Sequence, residues 1–339
     1  LHYQPAHTPE PPLQADAWVE SEKWLRLEFA MVNLLSINHG WRSRGAIGFL
    51  VDGETGEFLA ETEQERRNTA AKRLRLMTHT TRPVLFVRPY HSVLLENVAT
   101  RSTLAYALLR GVERVFQLEP GEVEAHWLGE GEHRRLLLVE SAEASSGVLR
   151  YLVDEREALA EAARYALEIC HFDAQGNDLN PDCVRACYRC LLSFQSQLEA
   201  RLLNRHLVAP ILAALARSVV LTRYGERDWH EQLAWLQQQV DPRSELERAF
   251  LETLANHQLR LPDAAQYRIE SPDCVVDFFY APRTCVFCDG AVHSHPEVRQ
   301  RDQMIREQLR QQGYEVIALH TERPLLEQIQ AYGAVFGKV

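Results

Sequence analysis

The sequence lacks three features that define large classes of protein. No apolar run approaches the roughly 20 residues that a membrane-spanning helix needs, and the first residues, LHYQPAHTPEPPLQ, have neither the basic nor the apolar segment of a signal peptide. No GxxxxGK[ST] phosphate-binding loop occurs anywhere in the chain. These absences argue against a membrane protein and against an ATP-driven motor in this chain, and they predict a cytoplasmic location.

Positive charge is also scarce. The chain has 37 Lys and Arg against 47 Asp and Glu, for a net charge of −10. Non-specific affinity for DNA is carried by Lys and Arg contacts to phosphate, so this balance disfavours a protein that coats DNA by bulk electrostatics, and any DNA contact must be local. Candidate basic segments are Arg42 with Arg44, then Arg66, Arg67, Lys72, Arg73 and Arg75, and finally Arg299, Arg301, Arg306 and Arg310.

Length and composition are those of a globular protein with more than one core. The 339 residues are 46% hydrophobic, which suits two domains. A composition shift at RYGERD, residues 223–228, predicts domains at 1–225 and 235–339. The chain begins at Leu and four prolines follow within twelve residues, so we expect a piece of a larger polypeptide.

Four of the seven cysteines lie within twenty-one residues. Cys183, Cys187 and Cys190 have C-x3-C-x2-C spacing, and Cys170 precedes them by a turn-rich loop. Four thiolates are the complement of a closed tetrahedral zinc site, so we predict structural Zn²⁺ at these residues. A redox or disulfide role and unliganded core cysteines are the alternatives. His171 and His206 are alternative ligands.

The residues around this site resemble a known family. The run CVRACYRCLLSFQSQLEARLLNRHLV is similar to the zinc-binding C-terminal domain of superfamily 2 DEAD/DEAH-type DNA helicases, in the group of mitomycin-repair and phage-defence helicases. INHG followed by GFLVD-x-x-TG extends the resemblance upstream. The chain departs from the family at Phe194 and at Asn204-Arg205, where Tyr and Asp-Arg are usual. The resemblance implies DNA as a partner, a helicase motor upstream in cis or in trans, and a role in DNA repair or phage defence.

Periodicity predicts a mixed α/β layer before the cysteines and a helix after them. Helical spacing is found at 24–35, 103–116 and 156–170, and strand patterns at 47–51, 82–95 and 133–141. A further helix is predicted at 191–216, so that zinc would join two helix ends.

The remaining chain predicts a small α/β domain with acidic residues on its rims. A helix starting at Ser244 precedes strands at 266–269, 274–280 and 284–288, a helix at 300–312 and the strand YEVIAL. The candidate catalytic residues are Glu245, Asp277, Asp289, His293 and Asp302. Carboxylates at strand ends suit Mg²⁺, and a metal-bound water could attack phosphate while His293 moves a proton.

This segment resembles PD-(D/E)XK nucleases, in particular the branch of very short patch repair endonucleases. VVDFFYAPRTCVFCDGAVHSH carries the likeness, which implies a restriction-endonuclease-like fold and catalytic roles for the five residues above. Phe287 stands where relatives have a Glu ligand. The predicted Mg²⁺-dependent endonuclease therefore competes with a non-catalytic DNA- or protein-binding scaffold, and a thiol oxidoreductase at Cys187 and Cys190 is a third hypothesis.

Overall fold

The computed structural model describes residues 2–5, 12–40, 47–60, 70–95, 97–141, 147–290 and 296–337. The chain divides into two compact units. The first comprises Leu1–Leu13 with Ala17–Val220, and the second comprises Gln14–Asp16 with Leu221–Val339. Both units combine helices with β-sheet, so the predicted α/β class is confirmed.

The first unit consists of β-sheet, whose strands differ in length, and helices. Its strands are β1 (His2–Pro5), β2 (Leu13–Val19), β3 (Glu22–Asn38), β4 (Phe49–Asp52), β5 (Ala71–Leu74), β6 (Leu76–Pro89), β7 (Val123–Leu128) and β8 (Arg135–Glu140), and β9 (Val219–Thr222) lies where the two units divide. The main sheet runs in the order β7-β8-β6-β3-β2, and β1 pairs with β3. β4 and β5 form a separate two-stranded antiparallel sheet.

The helix predicted at 24–35 is wrong, because this segment lies inside strand β3. β3 is seventeen residues long and pairs antiparallel with β6 over fourteen residue pairs. In each half of β3 every second side chain is buried. The buried positions are odd-numbered up to Leu27 and even-numbered from Val32 onward. That five-residue step mimics helical spacing in the sequence. The ladder with β6 overrides the local pattern, as tertiary pairing commonly does.

Helices α1 (Val98–Phe116), α2 (Val148–Asp154), α3 (Ala158–Ile169) and α4 (Arg205–Leu215) complete the first unit, and α1, α3 and α4 pack on one another. None of the helices in the described ranges has the length and apolarity needed to cross a bilayer. The helix predicted at 191–216 is wrong in its first half. Ser193 N–H donates to Ser196 Oγ at 2.9 Å, and Ser196 N–H donates to Ser193 Oγ at 3.3 Å. These bonds give the backbone an alternative to the helix ladder.

The second unit reproduces the predicted order of elements. It contains α5 (Trp229–Gln239), α6 (Glu245–Asn256), β10 (Ala264–Ile269), β11 (Cys274–Tyr280), β12 (Thr284–Asp289), α7 (Pro296–Gln311), β13 (Glu315–His320), α8 (Leu325–Gln330) and α9 (Gly333–Phe336). The sheet order is β10-β11-β12-β13, and only β12 and β13 are parallel within it. α7 connects these two parallel strands. The carboxyl ends of β12 and β13 therefore lie side by side, with Asp289 opposite His320.

Candidate metal centre and acidic cleft

Four potential metal ligands meet in the loop between α3 and α4. His171, Cys183, Cys187 and Cys190 each offer one donor atom, and these atoms all lie within 4.8 Å of one another. The Sγ atoms of Cys183 and Cys190 are 3.9 Å apart, and His171 Nε2 is 3.3 Å from Cys187 Sγ. Tetrahedral Zn²⁺ with bonds of about 2.3 Å to sulfur and 2.0 Å to nitrogen would hold two sulfurs about 3.8 Å apart and sulfur from nitrogen about 3.5 Å. The donor set fits zinc.

The end of α3 explains how His171 joins this group. The Phe172 N–H donates to Leu167 O at 3.0 Å and the His171 N–H to Glu168 O at 2.8 Å, which is the Schellman pattern of a helix C-terminus. His171 adopts the left-handed position of this turn, with φ of 64°. Non-glycine residues seldom occupy that region and tend to do so at functional sites. The turn brings the imidazole to the cysteines.

Cys170 is the predicted ligand that stands outside the group of four donors. It is the C-cap residue of α3, its exposed fraction is 0%, and its thiol interacts electrostatically with the other three thiols. Burial, followed by the field of the neighbouring thiols, raises the pKa of Cys170. The Cys170 Sγ does not belong to the group of donor atoms that lie within 4.8 Å of one another, so Cys170 has the weaker claim to the fourth position and His171 the stronger one.

The Cys187 thiol has the opposite character. Burial alone would raise its pKa, but hydrogen bonds from His171, from the Arg189 N–H and from neighbouring thiols outweigh burial and lower the pKa to about 6. The lowered pKa favours the thiolate form of this side chain. Zinc binding requires the thiolate, so the lowered pKa makes Cys187 suitable as a ligand.

One buried arginine fastens the loop that carries the ligands. Arg205 is fully buried at the start of α4. Its guanidinium donates to Cys183 O (2.6 Å), Cys170 O (3.1 Å), Asn180 O (2.8 Å) and Asp178 Oδ2 (2.6 Å), and it lies 4.7 Å from the centre of the Phe172 ring. The hydrogen bond from Arg205 lowers the pKa of Asp178 to about 2. The sequence offered Arg205 only as part of a family resemblance, without this role.

The second unit has a cleft of about 1150 Å³ that brings together four of the five predicted catalytic residues. Glu245 comes from the first turn of α6, Asp277 from β11, Asp289 from the end of β12 and Asp302 from α7. His293 lies outside the described residues. The sheet order produces this meeting, because β11 and β12 are adjacent and α7 follows β12.

The Asp289 carboxylate already has a cationic partner in this cleft. Arg306 donates to both of its oxygens, to Oδ2 at 2.9 Å and also to Oδ1, and His320 Nδ1 is 3.5 Å from Oδ2. The Arg306 guanidinium also lies 4.8 Å from the centre of the Phe287 ring. Phe287, which replaces the acid expected from the nuclease resemblance, therefore supports the arginine that neutralises Asp289.

The described carboxylates of the cleft do not gather into a group of three or more donors around one point. Within the ranges that the structure describes, His171 and the three cysteines are the one group of three or more donors close enough to share an ion. The carboxylates of the cleft line a common space without converging on one point. Asp277 Oδ2 instead accepts a hydrogen bond from the Cys288 N–H at 2.7 Å.

Glu247 is a cleft residue that is not among the five predicted catalytic residues. Ser244 Oγ accepts the Glu247 N–H at 3.3 Å and so caps the start of α6. The Glu247 carboxylate is buried, however, and accepts from Asp241 N at 3.2 Å and from Gln266 Nε2 at 2.9 Å. The pKa of the Cys288 thiol is raised by burial and by the nearby carboxylates of Asp277 and Glu247. Glu247 is thus buried in the cleft, whereas Glu245 is exposed.

Comparison with known proteins finds a family match around the metal centre. Residues 104–191 match a family model described as the MrfA Zn-binding domain. Among solved structures, the crystal structure of the DUF1998 helicase MrfA bound to DNA aligns with a TM-score of 0.33 and 11% sequence identity, covering 60% of this chain. This chain spans 25% of that helicase chain. No curated protein sequence matches significantly.

The matched segment contains all four donors of the metal centre, and Cys170 as well. The zinc-binding, helicase-associated part of the sequence resemblance is therefore supported, and so is structural zinc. The match lies within the first unit and includes no residue of the second.

Proposed function

We propose that this chain is a zinc-stabilised, helicase-associated module that processes DNA together with an ATP-driven motor, supplied in cis or in trans. The observation that carries the proposal is the convergence of His171, Cys183, Cys187 and Cys190 inside a segment that matches the MrfA Zn-binding domain. A role in DNA repair or phage defence is the expectation that accompanies the helicase resemblance.

Zinc in this module is structural. Four protein donors fill a tetrahedral site and leave no position for water or substrate, whereas catalytic zinc keeps one position open. The chain's own residues hold the site in shape: the turn after α3 orients His171, and Arg205 binds the carbonyls on both sides of the loop. The metal fixes the loop and performs no chemistry on DNA.

Metal analysis of the purified chain tests this proposal and its ligand set. We expect one Zn²⁺ per chain by elemental mass spectrometry, and loss of stoichiometric zinc in His171→Ala and in Cys187→Ser. Cys170→Ala and His206→Ala should keep the metal, since neither side chain belongs to the donor group. Zinc retained in His171→Ala but lost in Cys170→Ala would assign the fourth position to Cys170. A wild-type chain purified without zinc would reject the proposal.

For the second unit, the better supported candidate is a DNA-holding scaffold that does not cleave. The ion pair between Arg306 and Asp289, buttressed by Phe287, is the observation that favours it. Each member of this pair is about 15% exposed, and breaking a largely buried pair to admit a cation is costly. The catalytic assignment of Glu245, Asp277, Asp289, His293 and Asp302 stays a prediction that experiment decides.

Incubation with labelled single- and double-stranded DNA distinguishes scaffold from nuclease. With Mg²⁺ or Mn²⁺, and with EDTA as the comparison, we expect a binding shift without cleavage. Cleavage by the wild type that is abolished in Asp277→Ala and Asp289→Ala, but kept in the control Glu307→Ala on the exposed side of α7, would establish the nuclease and overturn the scaffold.

A further inference from the structure

Three arginines form a row across adjacent strands of the first unit. Arg26 on β3 is directly opposite Arg88 on β6. On the next strand, Leu136 pairs with Val87, so Arg135 continues the row beside Arg88. The Arg135 guanidinium lies 5.0 Å from the centre of the Phe86 ring. Phe86 and Arg88 are two residues apart on β6, so their side chains are on the same face of the sheet. Arg135 contacts Phe86 and Arg26 is opposite Arg88, so all three arginines share that face.

Tyr90 is the centre of a second cluster at the end of this row. Three cationic groups lie near its ring: Arg26 at 5.3 Å, Arg88 at 5.4 Å and Lys23 at 5.7 Å from the centroid. Lys23 also lies 5.1 Å from the centre of the Trp18 ring. Cation–π attraction places these side chains in defined positions. Tyr90 is nevertheless 41% exposed, so the cluster is open to a ligand.

The clustering of positive charge on this face of the sheet is unusual for a chain with a negative net charge. Like charges directly opposite each other on neighbouring strands destabilise a sheet, and the pairing of Arg26 with Arg88 is of that kind. Glu22 and Glu28 on β3 have the same parity as Arg26, so two acids lie on this face beside the four cations. The protein as a whole carries −10. A local positive surface maintained against this background is suited to an anionic ligand.

We propose that Lys23, Arg26, Arg88 and Arg135, together with Tyr90, form a binding surface for the phosphate backbone of DNA. The inference rests on the proposed DNA-processing function and assigns DNA contact to this face of the sheet. Guanidinium groups match phosphate oxygens in pairs. Neighbouring strands are about 4.8 Å apart, so the three arginines span about 10 Å. One strand of B-DNA has about three phosphates over that distance. An exposed aromatic ring adds a surface for a base or sugar.

DNA binding at varied salt tests the surface. We expect Arg26→Ala/Arg88→Ala to bind DNA roughly tenfold more weakly at low salt and to lower the magnitude of the log K against log salt slope by about 2, one for each lost phosphate contact. Arg150→Ala/Arg164→Ala removes the same charge from exposed helical positions outside the surface and should bind as the wild type does. Because Arg26 is half-buried, Arg88→Glu at an exposed position serves as the second variant.

The outcomes separate this surface from the proposed function. Wild-type binding that is unchanged in both Arg26→Ala/Arg88→Ala and Arg88→Glu overturns the surface and leaves the DNA-processing role intact. A wild-type chain that binds no DNA at low salt overturns both. Displacement of the DNA by polyglutamate at equal charge concentration would assign the surface to an acidic protein segment and reject the DNA proposal.

Discussion

Removing zinc is expected to unfold the metal loop, residues 170–192, while the second unit stays folded. Hydrophobic burial cannot hold this loop, because Cys183 is the only buried residue between 173 and 189, a stretch described throughout. Val184 and Tyr188 are 73% and 87% exposed. With so little core the fold depends on its metal, whose binding is worth on the order of 10 kcal/mol in small zinc domains.

Cys190→Ser is the substitution that should reproduce metal removal most fully. Cys190 is buried, it accepts the Cys187 N–H at 3.0 Å, and its Sγ lies beside that of Cys183. We expect this variant, like the chelator-treated wild type, to lose zinc and become cleavable by protease within the metal loop. Mass spectrometry of the fragments and thermal melting by circular dichroism measure both effects.

A cysteine in the second unit provides the control. Cys274→Ser removes a half-buried thiol from β11, remote in sequence from the metal loop, and should leave the zinc content and the protease pattern unchanged. If Cys190→Ser and the chelated wild type keep the wild-type melting curve and fragment pattern, the loop is held by something other than zinc. The structural role of the metal would then be wrong.

The zinc centre could be predicted from sequence because its information is local. Three cysteines with short spacing define a turn that gathers them, and spacing is visible in a sequence. The choice between Cys170 and His171 could not be predicted in this way. These residues are adjacent, and which side chain faces the loop is set by the left-handed turn at His171, a backbone property that residue identity scarcely indicates.

The two wrong helices show where local patterns fail. At 24–35 the sequence has helical spacing only because β3 changes its buried face midway, and the partner strand that decides the matter lies some fifty residues later. At 191–216 the apolar pattern continues through Ser193 and Ser196, whose hydroxyls bond to the backbone. In both cases the interaction that determines the structure cannot be read from the apolar periodicity of the segment.

The acidic cleft was predictable in part of its membership but not in its ion pair. Element order alone places Asp277, Asp289 and Asp302 at one rim of the sheet, and the structure gathers them in one cleft. Arg306 was indicated only as a member of a basic segment. Its contact with Asp289 depends on how α7 lies across the end of β12, and that packing is a tertiary property.

Replacing Arg205 with Ala is expected to destabilise the first unit by about 3–5 kcal/mol, the usual loss when one partner of a buried charged network is removed. The change leaves the carbonyls of Cys170, Asn180 and Cys183 without their donor. Arg205→Lys keeps the charge but cannot make the fork of bonds, so most of the loss should remain. Urea unfolding followed by a first-unit probe measures the effect, with zinc held in excess.

Two comparisons identify which bonds of Arg205 matter. Arg201→Ala alters an exposed arginine on the same segment and should change the free energy of unfolding by less than about 0.5 kcal/mol.

Asp178→Asn removes the charge partner of Arg205 but leaves the three carbonyl acceptors in place. Because the Asp178 side chain is 27% exposed, water can replace part of that interaction, and we expect a smaller loss than for Arg205→Ala. If the two losses were equal, the ion pair would hold the loop and the carbonyl bonds would contribute little. If Arg205→Ala were no worse than Arg201→Ala, zinc alone would shape the loop.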